Sequence, residues 1–591
     1  MTIAEKIKSL DWLRQNVIGR NTMFNTPYGK RPLVYLDYTA SGRSIRIIED
    51  HLNQIRKYYA NTHTEDDFTG KTMTFLLHDA EKRIKGCVNA GIHGKIVFAG
   101  SGTTGGITRL QQILGVYLSP ATKERYDYFM DSCLLRKGVK KSECHEALID
   151  YIKNHKPVVF VSPYEHHSNE IMWRRTLCDV IEVPLDEEWK LDLDALDRIV
   201  SDPAYAQRPK IGSFSAGSNV TGQLTDTYAV ARILHKHNCI ACFDFAACGP
   251  YIEINMNKDK ESFYDAIFLS PHKFLGGPGT SGLLIFNERI YRSDLPPSIA
   301  AGGTVDYVSE QKEDYVVDIE TREKPGTPGI MQAIQTALVF ELKKKVGVPI
   351  ISEIEDHFMA RFYKYFEANE QILFYGEREV GKKVSIIPFN IKYEENGKVL
   401  HPKFVTKLLS DLFGIQTRAG CSCAGPYGHK IMNIKQEESE KYRVAVAEEK
   451  LGGIKPGWIR LNLHYITSEA EFNYTVGALE FICSYGYKFL SQYEFNLKTG
   501  EWTNTNGFRF SEPLSLDIDE LLNAKPLCVA SPKIDMDEYK SYLKEAQEIA
   551  DVLQGIPEIC FNKHIEELLF FPVCLLNNKD DRKKYGSCCE C

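Results

Sequence analysis

The sequence predicts an α/β fold, a large α/β domain followed by a smaller α+β layer. Three observations lead there. Apolar runs of strand length, Lys95-Ile-Val-Phe-Ala99, Pro157-Val-Val-Phe-Val161 and Asp265-Ala-Ile-Phe-Leu269, each end in a polar or glycine-rich turn. Lys210 to Asp244 reads as strand, turn, helix and strand, a βαβ unit. After the helical stretch Ile330 to Val346 the pattern changes to alternating Val384, Ile386 and Phe389, a helix near Pro402 to Phe413, and the strand-like Trp458-Ile-Arg-Leu-Asn-Leu-His464.

A chain of 591 residues exceeds one ordinary domain, so two or three are expected. Apolar residues are 43% and charged residues 26%, the balance of a globular chain with a substantial core. The net charge of −7, with no basic tract, argues against non-specific nucleic-acid binding. The longest apolar run, Leu568 to Leu576, is short and broken by Pro572, so no transmembrane segment is expected. Met1 to Leu10 carries acid and has no apolar core, unlike a signal or transit peptide, which leaves a cytoplasmic address. Sixteen cysteines scattered along such a chain predict free thiols rather than a disulfide framework. No internal repeat or low-complexity tract appears.

Taken in order, Ile3, Ile7, Leu10, Leu13 and Val17 have the spacing of one amphipathic helix, packing on another domain or subunit. Leu76 to Val88 is helical by its spacing. Gly100-Ser-Gly-Thr-Thr-Gly-Gly106 lies between a strand and a helix predicted from Ile107 to about Leu118. Free backbone N–H groups and small hydroxyls there make a phosphate cradle, although a simple tight connection would read the same way. Ser119 to about His155 is lysine-rich and reads as a solvated insertion. His166 and Asp244 both end strands, and each could be merely a satisfied histidine or a helix cap.

Ser270, His272 and Lys273 fall at the carboxyl end of the Asp265–Leu269 strand, where open α/β sheets bind ligands. Glycines then turn the chain into the strand Gly282-Leu-Leu-Ile-Phe286. A buried lysine amine can lose its proton and condense with an aldehyde, whereas on its own Lys273 could be a surface lysine on a loop. Further on, Ser468-x-x-Glu471 is a capping box, and Gly428 to Ile454, long and mostly charged, reads as a lid or a solvated helix pair. Leu514 to Leu522 and Asp537 to Leu553 look helical. The terminal Ser587-Cys-Cys-Glu-Cys591 could be prenylated or could carry metal or persulfide.

In this order the motifs resemble the class V aminotransferase and cysteine desulfurase branch of the fold-type I pyridoxal phosphate (PLP) enzymes. Ser-x-His-Lys before a glycine-rich turn resembles their Schiff-base motif, with Lys273 as the cofactor lysine. Val34-Tyr-Leu-Asp-Tyr-Thr-Ala40 resembles their opening, with Thr39-Ala40 in place of two alanines. Asn61-Thr-His-Thr64 resembles an Asn-x-His that precedes a helix, and His63 is read as structural. The resemblance implies a cofactor site of Thr103, Thr104, Ser270 and His272 on the phosphate, His166 stacked on the ring, Asn219 near the ring hydroxyl and substrate carboxylate, and Asp244 on the pyridine nitrogen. Ala247 stands where the family often has Gln or His, which leaves reaction preference open.

Ala301-Gly-Gly-Thr-Val305 resembles the segment that reaches the phosphate of a second subunit, implying a homodimer with Thr304 as the contact. Glu323 to Pro328 matches a family turn, and Trp458 to Leu479 resembles the desulfurase C-terminal signature. In Thr417-Arg-Ala-Gly-Cys-Ser-Cys-Ala-Gly-Pro426, Arg418 and Cys423 fall on the desulfurase positions for the substrate carboxylate and the nucleophile. Cys421-x-Cys423 could instead be inert thiols or a redox or metal pair. With no second Cys/His pair at ligand spacing nearby, no metal site is expected.

The resemblance covers about Val34 to Tyr485. It implies a large, mainly parallel-sheet PLP domain at 31–335 and a small domain at 336–510. A helical segment at 1–30 would pack with the small domain, and an extension at 511–591 has no assigned role. The implied activity is cysteine desulfuration, giving alanine and a persulfide on Cys423, with an amino acid substrate and a sulfur-acceptor protein as candidate partners. The alternatives are a class V aminotransferase or another PLP lyase and, outside catalysis, a scaffold or binding protein that keeps the fold.

Overall fold

The chain is described by a computed structural model at residues 1–62, 64–125, 128, 155–393, 397–509, 516–523, 534–555 and 558–586. It divides into one unit of Thr39–Ser352 with Gly381–Val384 and another of Met1–Tyr38, Glu353–Val380 and Ser385–Cys591. His63, the terminal cysteines and, within the expected insertion, residues 126–127 and 129–154 lie outside the described residues.

The first unit is built on a seven-stranded sheet of β1 (Gly94–Phe98), β2 (Val158–Val161), β3 (Asp179–Glu182), β4 (Lys210–Ser215), β5 (Cys239–Asp244), β6 (Ala266–Leu269) and β7 (Leu283–Asn287). Their order is β1-β7-β6-β5-β4-β2-β3. Only β7 runs against its neighbours, so the expected mainly parallel sheet is present. A parallel sheet is covered on both faces, which is why β2 and β6 are buried at every position and read as unbroken apolar runs.

The helices α1 (Thr103–Ile113), α2 (His167–Arg174) and α3 (Thr227–Lys236) each follow a parallel strand. Ile107 and Leu110 of α1 and Trp173 of α2 pack against Val159, Phe268 and Leu284 of the sheet. Each such buried side chain contributes roughly 1.5–3 kcal/mol.

Helix α1 starts four residues before the predicted Ile107 and ends at Ile113 rather than near Leu118. Gly106 lies inside the helix, where a Cβ would stand 2.8 Å from the Leu283 carbonyl. The glycine lets a strand backbone pass close by rather than forming a turn.

In the second unit, β8 (Ile372–Phe374), β9 (Ile386–Ile391), β10 (Arg418–Gly420) and β11 (Trp458–Asn462) form an antiparallel sheet in the order β8-β9-β11-β10. Strand β9 is buried at all six positions, so the alternation expected from Val384, Ile386 and Phe389 does not describe it. The single entry helix is two, Ile3–Ser9 and Asp11–Asn16. Ser9 Oγ donates to the Lys6 carbonyl at 2.7 Å, a local bond that competes with helix propagation. Ile7, Leu10, Leu13 and Val17 are nevertheless buried, as their spacing predicts.

The parallel pair Val34–Tyr35 and Ile415–Gln416 ties the N-terminal segment into this unit. The charged stretch after Gly428 forms helices Gly425–Ile431 and Gln436–Arg443. It is not solvated throughout, because Tyr442 is buried and its hydroxyl donates to the Leu568 carbonyl at 3.2 Å. Helix Met536–Val552 packs on helix Glu469–Tyr485 through stacked Tyr474 and Tyr539 rings, 4.2 Å apart. Among the described residues the cysteines are free thiols, and no helix is long and apolar enough to cross a membrane.

Candidate active site

Six strands of the large sheet point the same way, so the turns after β1, β2, β4, β5 and β6 meet at one edge. Gly102, the N-cap of α1, has no side chain to cap the helix. The Thr103 N–H donates to Ser270 Oγ at 2.9 Å, joining the turn after β1 to the turn after β6. A Cβ on Gly102 would lie 3.0 Å from Ser270 Oγ and 3.6 Å from His272 Nε2. The result is a small hollow bounded by a helix N-terminus, a hydroxyl and an imidazole, a donor set suited to an anion. The neighbouring Thr104 and Ser168 hydroxyls are hydrogen-bonded at 2.8 Å, and Ser168 Oγ lies 3.1 Å from His166 Nδ1.

Lys273 ends a single 3₁₀ turn, Pro271–Lys273, and is half-buried. The turn is clamped from outside: the His272 carbonyl accepts the Gly42 N–H at 2.8 Å and Ser41 Oγ at 3.0 Å. Burial, helped by the Lys273 charge, pushes the His272 imidazole down to about 4, which keeps it neutral near pH 7. At the end of β5, Asp244 is 3% exposed and its Oδ1 accepts the Ala246 N–H at 2.8 Å. Burial pushes this carboxyl up to about 6, against the pull of that N–H and of Lys273. A further cation placed beside it would be strongly favoured.

Behind His166 lies a network that the sequence reading missed. Glu165 is buried and accepts Ser162 Oγ at 2.6 Å, the Ser215 N–H at 2.8 Å, Ser215 Oγ at 2.6 Å and Asn169 Nδ2 at 2.7 Å. It thereby holds the end of β2 to the end of β4, whose turn carries the buried Asn219. The one sequence signal was the glutamate immediately before the histidine pair. Thr304 is fully buried, and its Oγ1 donates to the Ala301 carbonyl at 2.8 Å.

In the second unit, Arg418 projects from β10 with its side chain 56% exposed, and its Nε donates to Asp37 Oδ2 at 2.8 Å. The buried Arg460 of β11 approaches the other oxygen of Asp37 at 3.3 Å. Asp37 thus orients two guanidinium groups, a role the sequence reading did not assign. Cys423 is exposed and Cys421 half-buried on the turn that follows β10.

A family model described as Aminotransferase class-V matches residues 145–469. A probable cysteine desulfurase of Staphylococcus aureus is 25% identical over 431 residues, covering 72% of this chain and 90% of the relative. One of Halalkalibacterium halodurans, also described as probable, is 24% identical over 400 residues, 67% of this chain and 85% of the relative. Two solved structures share the fold. The apo cysteine desulfurase of Thermococcus onnurineus has a TM-score of 0.59 at 20% identity, over 76% of this chain and 95% of that one. The cysteine desulfurase CsdA of Escherichia coli has a TM-score of 0.54 at 17% identity, over 76% and 93%.

Proposed function

The chain belongs to the class-V aminotransferase family, and on that premise we propose that it is a cysteine desulfurase, converting L-cysteine to L-alanine and leaving the sulfur as a persulfide on Cys423. The observation that carries this reading is the exposed Cys423, on the turn directly after the strand that presents Arg418. One guanidinium for a carboxylate and one thiol for a sulfur are what cysteine, among amino acids, requires.

The residues of the large unit fit pyridoxal phosphate. The hollow at Gly102 suits a phosphate, and a buried carboxyl raised to about 6 suits a protonated ring nitrogen. Thr103, Thr104, Ser270 and His272 would hold the phosphate, Asp244 the ring nitrogen, Asn219 the ring hydroxyl, and His166 the ring face. Lys273 would hold the group through its ε-amine. When bound, the group supplies an electron sink for the substrate's α-carbon.

The chain's own residues do the rest. Lys273 Nζ would carry a proton between the α- and β-carbons, and Asp244 would hold the proton of the ring nitrogen. His166 would move a proton at the substrate nitrogen. Arg418 takes the α-carboxylate. The Cys423 thiolate attacks the substrate sulfur, the carbon–sulfur bond breaks, and the carbon takes a proton. Cysteine plus a thiol becomes alanine plus a persulfide, with no other reactant.

The test is L-cysteine with wild type and two variants. Cys423→Ser should form neither alanine nor persulfide while still binding cysteine. Arg418→Ala should chiefly raise KM. Full turnover by Cys423→Ser, or no persulfide on wild type, would overturn the reading.

A further inference from the structure

The desulfurase reading uses Cys423 and leaves Cys421 without a task. We propose that Cys421 is a second catalytic thiol, which takes the transferred sulfur from Cys423 within a single β-turn and so readies Cys423 for another substrate. The proposal rests on the desulfurase reading and deepens it.

The geometry is that of a closed turn. The Ala424 N–H donates to the Cys421 carbonyl at 3.1 Å, making Cys421 the first residue and Cys423 the third. Ser422 and Cys423 have φ of 51° and 55°, positive at both central positions, as in turns of type I′. Glycine or asparagine normally occupies such positions, because a Cβ there meets the following carbonyl. Two consecutive non-glycine residues held in this conformation at a reactive cysteine indicate a turn imposed by its surroundings. Both ends are anchored, Gly420 opposite Trp458 in the β10–β11 ladder and Ala424 fully buried.

Chain geometry keeps the Cα atoms of residues two apart within about 7 Å. Bonded sulfur pairs need Cα separations of roughly 4.4–6.8 Å. The Cα spacing of Cys421 and Cys423 therefore does not itself stand in the way of sulfur-to-sulfur contact. Their exposures differ in the useful sense: Cys423 faces outward and Cys421 is the more sheltered.

In the step itself the Cys421 thiolate attacks the outer sulfur of Cys423–S–SH. The sulfur–sulfur bond at Cys423 breaks, Cys423 leaves as a thiolate, and a new sulfur–sulfur bond makes Cys421–S–SH. The proton lost by Cys421 is matched by one taken up at Cys423. One persulfide and one thiol become one thiol and one persulfide, so no oxidant or reductant is consumed.

The test is a rapid-quench reaction of the holoenzyme with L-cysteine and no added thiol, followed by alkylation and mass-spectrometric mapping of the extra sulfur. Two thiols that both store sulfur predict a burst of two alanines per active site in wild type, and one in Cys421→Ser. The extra sulfur should appear on both cysteines of wild type and only on Cys423 of the variant. The wild-type map stands without any variant, and the variant's own single burst reports that it is folded. A burst of one with sulfur confined to Cys423 of wild type would overturn the relay and leave the desulfurase reading intact. So would a Cys421–Cys423 disulfide with release of sulfide, because attack would then have fallen on the inner sulfur. No alanine from wild type would sink the desulfurase reading and the relay with it.

Discussion

Burial gives Asp244 its chemistry. A carboxyl raised to about 6 by burial would gain most from the positive ring nitrogen proposed beside it, whose proton it would then hold. Asp244→Asn should fold normally by circular dichroism yet lose about 100-fold or more in kcat. Activity near wild type would reduce Asp244 to a turn residue that caps Ala246. His272 makes a second case, through pH. Its folded value near 4 lies below that of an exposed histidine, so folding favours the neutral ring. That contribution is whole above about pH 6.5 and is lost as pH falls toward 4, because the unfolded chain takes up the proton first. His272→Asn should flatten this part of the dependence of apoprotein Tm on pH, and an unchanged slope would refute it. At this scale the sequence pointed to candidate residues through order and type, as with Lys273, Asp244 and Arg418. It did not reveal Glu165 or Asp37, whose partners Ser215 and Arg460 lie far away along the chain.

Among the elements, the strands were the most legible, because a parallel sheet buries both faces and leaves continuous apolar runs. The helix ends were not. The break at Leu10 is accompanied by a local serine hydroxyl bond, and α1 includes a glycine where a strand backbone passes close by, features that spacing alone does not signal. The hollow at the start of α1 yields a prediction that belongs to the element rather than to any single contact. Gly102→Ala would put a methyl group 3.0 Å from Ser270 Oγ, in the space assigned to the phosphate. Retention of pyridoxal phosphate should fall by roughly tenfold or more, about 1.4 kcal/mol, while the apoprotein melts within a degree or two of wild type. Unaltered retention on equilibrium dialysis would move the phosphate elsewhere.

For the whole molecule, the reading requires a coloured protein. Purified wild type should absorb visible light, and Lys273→Ala should lose the covalently held chromophore, which borohydride reduction followed by peptide mapping would detect at Lys273. A wild-type protein that stays colourless after incubation with pyridoxal phosphate would end the argument. A homodimer is part of the same proposal, and light scattering at the monomer mass would remove it.

The two units also differ in how the chain supplies them. Nearly all of the large unit comes from one continuous stretch, whereas Val34 and Tyr35 of the other pair with Ile415 and Gln416, some 380 residues later. On a ribosome the sheet that carries Lys273 can close while synthesis continues, but Met1–Tyr38 must wait for its partners to emerge. The sheet that carries Lys273 is therefore made before the loop bearing Arg418 and Cys423. Pulse-labelled nascent chains should gain protease resistance in that order. On the proposed function, a cofactor would then reach Lys273 before Cys423 is in place.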